Sequence, residues 1–413
     1  IVAHKDAEAA GADVLSFFER LILEDFRNFT RAELLPAPGV NVIYGNNAQG
    51  KTNLMEALYL LTGQRSFRSS RESDLVRFGQ SQGTIEADFF AGGRSQNVRM
   101  VLGGGKKTVS FNELPVQPSE LTGRYFAVVF SPTELSLVKE GPAQRRAFLD
   151  SAISQVMPRY LKTLAAMNRA LSQRNTVLGD MGRFAGLEGM LEVWDRSFAK
   201  MAYSVIHARR RYIRRLSPKA AEVYKGISGG REELTVAYQC TIPGDWDAMT
   251  QQEGEQAGLE ALAANRGEDL RLGFTGVGPH RDDMDLRIDG ISARSFGSQG
   301  QQRSCALALK LAECGVIEEI AGERPIILLD DVLSELDKKR RDYFLSDIHG
   351  GQVFLTCCDS GSIRGVTRGM TIRVDRGELR SRRVTEGRAG GKKGKEESKD
   401  VPASGTGYSG ENQ

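Results

Sequence analysis

The chain has 413 residues, with 56 Lys and Arg against 53 Asp and Glu, a net charge of +3. That length supports a large core in two or three lobes, and 40% hydrophobic with 26% charged residues is the composition of an ordinary globular protein. No apolar run reaches the roughly 18–20 residues of a membrane span. Residues 1–16 lack the basic and apolar segments of a secretory signal, and so mild a net charge leaves nucleic-acid binding to be argued from local patches.

Residues 17–35, FFERLILEDFRNFTRAELL, read as a strand region. The run VNVIY at 40–44 then reads as a buried strand, followed by GNNAQGKT at 45–52 and a helix-forming stretch with apolar residues at 54, 55, 58 and 61. Strand, glycine-rich loop and helix form the context of a G-x-x-x-x-G-K-[ST] phosphate loop. In that reading Gly45, Asn46, Asn47, Ala48, Gln49 and Gly50 wrap backbone N–H groups around phosphates. Lys51 reaches the β- and γ-phosphates, Thr52 ligates Mg²⁺, and the helix dipole favours the anion.

From about 80 to 130, short β-like runs separated by glycine turns predict a β-rich lobe beside the loop. From Asp150 the apolar positions 153, 157, 160, 164, 167 and 171 step by four and three. A second set, 187 to 212, does the same after the turn-rich NTVLGDMGRFAG. These predict two helices of about 25–30 residues, roughly 40 Å long, folded back as an antiparallel hairpin.

Mixed β patterning returns over 235–295, then a helix follows Ser298, and strands are expected at 325–329 and 353–356. The stretch from Arg376 to the end is rich in Gly, Lys and Ser and is expected to be disordered. The five cysteines, at 240, 305, 314, 357 and 358, show no CxxC spacing, which suits free thiols in a reducing cytoplasm rather than a metal site.

Two further motifs narrow the chemistry. PIILLDD at 325–331 is a buried-strand pattern ending in two acids, placing Asp330 to hold Mg²⁺ beside a triphosphate and Asp331 to orient or deprotonate the attacking water. SQGQQRS at 298–304 opens a helix with a hydroxyl and a glycine. It can be an ordinary serine-capped helix, or a second anion site. A chain that already has one phosphate loop has use for a second anion site if that site serves a nucleotide held by another copy.

GNNAQGKT, SQGQQ and LLDDVLSELD in this order resemble the ABC-type ATPases related to the SMC proteins, and within them the RecF family of bacterial recombinational repair ATPases. FRNF at 26–29, FSPTELSLVKEGPAQRRAFLD at 130–150, GPHRDD at 278–283 and SQGQQRS also match that family, over about residues 17–375. The resemblance implies an α/β fold: an ABC-type P-loop ATPase head, a mixed sheet with helices plus a β-rich lobe, carrying an inserted α-helical hairpin arm domain. The implied division is a flexible extension over 1–16, head over 17–140, arm over 141–230, head again over 231–375, and a basic tail over 376–413.

It also implies ATP and Mg²⁺ as cofactors and a homodimer closing on two ATP molecules. The 45–52 loop of one copy would face Ser298, Gln299, Gly300 and Gln301 of the other. Lys51, Asp330 and Asp331 would carry the chemistry, Thr52 and Asp330 the metal, and Arg27 and Asn28 would touch the nucleotide. The stretch 334–337, SELD, looks like the D-loop that crosses the same interface. Implied partners are DNA, RecR, and RecO and RecA in the same pathway, in the cytoplasm and with no membrane.

Departures from the superfamily pattern are Asp331 in place of Glu, FSPTEL without the Q-loop glutamine, and VFLTCCD without a switch histidine; together they imply a slow ATPase. GPHRDD also reads as a surface turn leading into the hairpin DMDLRIDG. For DNA, the local feature is HARRRYIRRL, in which Arg209, Arg210, Arg211, Arg214 and Arg215 crowd the second arm helix. These can meet phosphates with little sequence preference, or form a solvated helix face. Arg94, Lys106 and Lys107 are weaker candidates. An ABC-type ATPase subunit powering a nuclease or another machine is the alternative. A small-molecule kinase would have no use for SQGQQ and SELD.

Overall fold

A computed structural model of the chain describes residues 16–68, 71–181, 184, 186–348, 350–358 and 369–384. Strands β1 (Phe17–Phe26) and β2 (Phe29–Leu34) precede β3 (Val40–Tyr44), which feeds helix α1 (Lys51–Leu60). The lobe strands β4 (Gln82–Ala91), β5 (Arg94–Gly103), β6 (Lys106–Phe111) and β7 (Leu114–Val116) follow, then β8 (Ala127–Phe130) and the short α2 (Pro132–Leu135). Helices α3 (Pro142–Val156), α4 (Pro158–Met181) and α5 (Glu188–Ser228) come next, before β9 (Leu234–Gln239), α6 (Gln251–Leu272), β10 (Asp283–Ile288) and β11 (Ile291–Ser292). The last part holds α7 (Ala293–Phe296), α8 (Gln299–Ala321), β12 (Ile326–Leu329), α9 (Lys338–Asp347), β13 (Val353–Cys357), β14 (Gly369–Asp375) and β15 (Glu378–Val384).

One six-stranded sheet is antiparallel, in the order β2-β1-β4-β5-β6-β7, and a second runs β15-β14-β3-β13-β12-β8, with four of its five pairings parallel and β15 antiparallel to β14. Strands β8 and β12 are short, apolar and buried at every residue because both faces are covered. Alternation along the parallel strands splits the core in two. Ile43, Val129, Leu328 and Phe354 face α1 and the antiparallel lobe, whereas Val42, Val128, Leu329 and Leu355 face α8 and the long helices. Helix α1 is therefore sandwiched, and eight of its residues are buried.

Helices α4 and α5 lie antiparallel, as the pairings of Arg174 with Asp195 and of Tyr160 with Arg209 require. The second helix is longer than the expected 25–30 residues: α5 has 41, about 60 Å at 1.5 Å per residue. It runs through Pro218 and ends only at Gly229, whose φ of 72° provides the left-handed cap. Its C-terminal half, from Ala208 to Ile227, buries Leu216, Ala220 and Tyr224 in the same cluster as Leu307 and Leu311 of α8. The hairpin is thus seated on the parallel sheet's helical face and is not a free arm.

Two expectations about the ends need correction. Residues 378–384 are not disordered: β15 pairs with β14 over the full length Gly369↔Val384 to Asp375↔Glu378, because Leu379 packs on the lobe core opposite Val374. Ser16, expected in a flexible extension, is buried and donates to the Glu323 carboxylate. Residues 1–15 and 385–413 lie outside the described residues.

The helical region is locked by buried arginines. Arg174 is 0% exposed and donates to Asp195 at 2.6 Å, Asp269 at 2.7 Å and Thr275 at 2.8 Å. Removing one partner of such a network strands the remaining charges in low dielectric. Arg174→Met should lower unfolding stability by about 3–5 kcal/mol, read from the urea midpoint. Arg196→Ala, whose exposed Glu192 partner is 4.0 Å away, should change it by less than about 0.5 kcal/mol.

Candidate nucleotide site

The loop 45–52 follows β3 directly, and its backbone requires its glycines. Gly45 has φ +152°, and a Cβ there would stand 2.3 Å from the Val374 carbonyl oxygen; Gly50 has φ +113°, and its Cβ would meet the Asn28 side chain at 2.6 Å. Lys51 Nζ folds back onto the loop, donating to the carbonyls of Gly45 at 2.5 Å and Asn46 at 2.9 Å. Helix α1 opens with Gly50 as N-cap, no side-chain cap and no acid in its first turn. Its first N–H groups are left for an anion.

Thr52 Oγ1 donates to Asp330 Oδ1 at 2.9 Å, and Thr356 Oγ1 donates to the same oxygen at 3.0 Å. One oxygen thereby joins α1, the end of β12 and the end of β13. Asp330 Oδ2 has no partner among the described residues, so a hydroxyl and a free carboxylate oxygen stand side by side, a donor set that suits Mg²⁺. Asp330 is 7% exposed, and burial pushes its carboxyl above the usual carboxylate range, against the pull of the two threonine hydroxyls. Asp331 is exposed with φ +55°; its N–H donates to Thr356 Oγ1 at 2.9 Å, and its carbonyl accepts from Ser334 Oγ at 2.7 Å.

The residues at 26–29 brace this loop. Asn28 Nδ2 donates to the Gln49 carbonyl at 2.8 Å and Asn28 Oδ1 accepts from Asn53 Nδ2 at 2.8 Å. Arg27 is committed elsewhere: Nε and Nη2 donate to Glu56 at 2.8 and 2.7 Å, and Nη1 to the Asp74 carbonyl at 2.6 Å. Glu56, Asn53 and Thr356 were not singled out from the sequence. The available signal for Glu56 was an acid one turn beyond Thr52, on the buried side of an otherwise apolar helix. Cys358 Sγ lies 3.2 Å from Asn47 Oδ1, where the switch histidine would be sought.

The stretch 298–301 lies apart. Ser298 caps α8 with its Oγ accepting from the Gln301 N–H at 3.2 Å, and Gln301 Oε1 accepts from the Ser298 N–H at 2.8 Å. Ser298 and Gln299 are exposed, Gly300 is half-buried, and Gln301 donates to Glu232 at 3.0 Å. Within one chain, the phosphate loop and the 298–301 stretch are not joined by any hydrogen bond or ion pair among the described residues.

Arg209 is a correction. Expected to face DNA, it is 1% exposed and donates to Asp150 at 2.9 and 3.0 Å and to the Pro279 carbonyl at 2.7 Å. It shares the inward face of α5 with Tyr212 and Leu216, at helical spacing. Arg210 and Arg214 both pair with Asp247, at 2.6 and 3.2 Å, and Arg215 pairs with Glu319 at 2.8 Å. Arg211 is exposed and has no partner among the described residues. In the lobe Arg94 and Lys106 are exposed, whereas Lys107 is largely covered and faces Glu72 at 3.7 Å.

GPHRDD is not a surface turn. Asp282 is 0% exposed and accepts from the Thr241 N–H and hydroxyl at 2.7 Å each and from Tyr238 at 2.6 Å. Asp283 takes both arms of Arg145 at 2.7 and 2.8 Å, and His280 Nε2 meets the Thr275 carbonyl at 2.9 Å. Burial holds His280 below its usual range.

A sequence model of the RecF/RecN/SMC N-terminal domain matches residues 17–379. The chain is 38% identical over 342 residues to the DNA replication and repair protein RecF of Ruminiclostridium cellulolyticum, covering 82% of this chain and 92% of that one. It is 38% identical over 365 residues to that of Syntrophotalea carbinolica, covering 87% and 98%. The chain belongs to the RecF family. A solved structure described as the recombination mediator protein RecF-ATPrS in the RecFOR pathway superposes with a TM-score of 0.84 at 32% identity, covering 90% of this chain and 99% of that one. A structure of RecF-ATP gives 0.82. The Smc head domain of Pyrococcus furiosus, at 15% identity and TM-score 0.52, shares the fold. The ABC-type ATPase architecture of the RecF family is thereby established for this chain. No described helix is long and apolar enough to cross a membrane.

The buried Asp330 carboxylate gives a signed expectation. A carboxyl raised in the folded state favours folding while it is protonated, and that contribution is lost as pH rises through its folded-state value. Asp330→Asn should therefore melt at higher temperature than wild type at neutral pH without nucleotide. The difference should vanish at pH values below the usual carboxylate range. Calorimetry of both proteins across pH checks this.

Proposed function

We propose that this chain is an ATP-dependent DNA-binding protein of recombinational repair, which clamps DNA as a head-to-head dimer formed on two ATP molecules. The observation that carries the proposal is the separation within one chain of a formed phosphate loop, with Asp330 bonded to Thr52, from an exposed, serine-capped half-site at 298–301. A second copy completes the site. The RecF names of the relatives and the RecFOR pathway named for the solved structure support recombinational repair.

In the closed dimer the loop 45–52 grips the triphosphate through backbone N–H groups, and Lys51 leaves the carbonyls of Gly45 and Asn46 for the phosphates. Thr52 and Asp330 would hold Mg²⁺, which neutralises charge on the β- and γ-oxygens when bound. Asp331 orients the attacking water and accepts its proton. The partner copy supplies the Ser298 hydroxyl and the first N–H groups of α8 to the γ-phosphate, with Gln299, Gly300 and Gln301 lining that contact. Asn28 shapes the loop from behind, and Arg27 acts through Glu56.

Hydrolysis is slow. Asp331 is shorter than the usual Glu, and neither a Q-loop glutamine nor a switch histidine tunes the water. Slow turnover suits a timed clamp that assists RecA loading with RecO and RecR. DNA phosphates would meet Arg211 and Arg214, with Arg210 and Arg215 adding field beside them, and Arg209 holding the helix in place.

Light scattering with and without ATP and Mg²⁺ tests the dimer: wild type should dimerise only with nucleotide, and Lys51→Met and Ser298→Arg should stay monomeric. A wild type that remains monomeric, or a Ser298→Arg variant that dimerises normally, would sink the composite site. For DNA, Arg211→Glu with Arg214→Glu should weaken binding similarly for unrelated sequences and reduce the salt slope by about 2. Unchanged affinity over a salt titration would move the DNA path off α5.

A further inference from the structure

The N-terminal end of α8 is braced by two arginines, Arg303 reaching out from α8 itself and Arg340 reaching in from α9. Arg303 donates to the Glu335 carbonyl at 3.2 Å and to the Glu335 carboxylate. Arg340, in the first turn of α9, donates from Nε to Ser304 Oγ at 2.7 Å and from Nη1 to the Asp337 carboxylate. Ser304 Oγ in turn donates to the Gly300 carbonyl at 2.9 Å. The guanidinium lies against Gly300, where an added Cβ would stand 3.0 Å from Nη2. Among the described residues Nη2 has no partner.

A cation beside a helix N-terminus is electrostatically unfavourable for the helix, and the first turn of α8 has no acid to soften it. Asp337 holds Arg340 there instead. Asp337 caps α9, accepting from the Arg340 N–H at 2.9 Å, and that bond keeps its carboxyl below the ordinary range. The pair therefore joins the SELD turn to the Gly300 turn and leaves a guanidinium beside the N-terminal ends of both α8 and α9. An arrangement that costs the isolated chain is intelligible if an anion arrives from outside.

We propose that Arg340 is a positioning residue of the half-site that acts on the other copy's nucleotide. This rests on the composite-site reading above. Arg340 fixes the Gly300 turn through Ser304 and Asp337, so that the Ser298 hydroxyl and the N–H groups of α8 face the partner's γ-phosphate together. An added Cβ at Gly300 would press on this guanidinium, which would have to shift by a few tenths of an ångström. Arg340 works in trans, and the phosphate loop of its own chain does not depend on it.

The experiment compares wild type, Arg340→Ala, Arg340→Lys, Ser304→Ala and Ser298→Arg in full-length protein. ATP affinity is measured at protein concentrations where the chain is monomeric, and ATP-Mg²⁺-induced dimerisation by light scattering. Arg340→Ala should leave monomer ATP affinity as in wild type and weaken dimerisation about tenfold or more, the scale of one lost charge-assisted hydrogen bond. Arg340→Lys, which keeps the cation, should restore most of the loss, which a packing role alone does not predict. Ser304→Ala, which removes the acceptor and spares the fold if Arg340→Ala proves unstable, should weaken dimerisation in the same direction. Arg340→Ala and Ser304→Ala dimerising like wild type while Ser298→Arg stays monomeric would overturn the role of Arg340 and leave the composite site standing. Ser298→Arg dimerising like wild type would remove both.

Discussion

The structure depends on one carboxylate oxygen. Asp330 Oδ1 receives the hydroxyls of Thr52 and Thr356, and through them the phosphate loop, the acidic strand β12 and the late strand β13 meet at one point. Each element reaches that point because the parallel sheet brings the C-terminal ends of β3, β12 and β13 side by side. The sheet can be dry and apolar on both faces only if its polar business is confined to those ends. Burying the carboxylate there penalises its charge, and a divalent cation is the partner that would relieve the penalty. The local instability and the site are one feature.

A second constraint operates farther away. The helical hairpin could have been an independent arm, yet buried charge ties its helices to each other and to α3 and α6, and ties α3 to β10. Arg209 binds Asp150 and the Pro279 carbonyl, Arg145 binds Asp283, and Arg174 binds Asp195 and Asp269. Such pairs contribute little net stability over apolar packing, but they penalise any alternative register heavily. GPHRDD belongs to this system. The Pro279 carbonyl and the Asp282 and Asp283 carboxylates each satisfy a group from another element, so the turn acts as a junction between α3, α5 and β9, while the His280 imidazole bonds within the loop itself.

Much of this was legible in the residues. The phosphate loop, the acidic strand and the serine-capped helix have short-range signals: glycine spacing, an apolar run ending in acids, a hydroxyl before a helix. The hairpin was legible from its periodicity, but not its length, because nothing between Tyr212 and Gly229 except Pro218 hints at an end and the helix absorbs that proline. Arg209 was misplaced because a cluster of five arginines hides its phase: two steps of 100° separate 209, which faces inward, from 211, which faces outward. Burying this arginine takes acceptors from Asp150 and Pro279, 59 residues before it and 70 after it, which local pattern cannot report. The strand at 378–384 was hidden for a similar reason. Its charged, glycine-flanked sequence is that of an edge strand, and only β14 makes it one.

The two halves of the nucleotide site differ in what they need. The loop at 45–52 is held by its own chain at Asn28, Val374 and Asp330, and would be formed with or without a partner. The turn at 298–301 is held by the D-loop segment, with Glu335 on Arg303 and Asp337 on Arg340, and that segment begins at the Asp331 carbonyl through Ser334. A short backbone segment, 331–337, therefore carries side-chain bonds at one end to Asp331 and at the other to the end of α8, the two places the composite-site proposal assigns to different nucleotides. In a two-fold dimer this segment occurs twice, each copy linking both sites. A change in the Asp331 backbone on hydrolysis at one site would then be felt at the Gly300 turn of the other. Such a dimer would release both nucleotides as a unit, which is the behaviour a clamp requires and a self-contained kinase site does not.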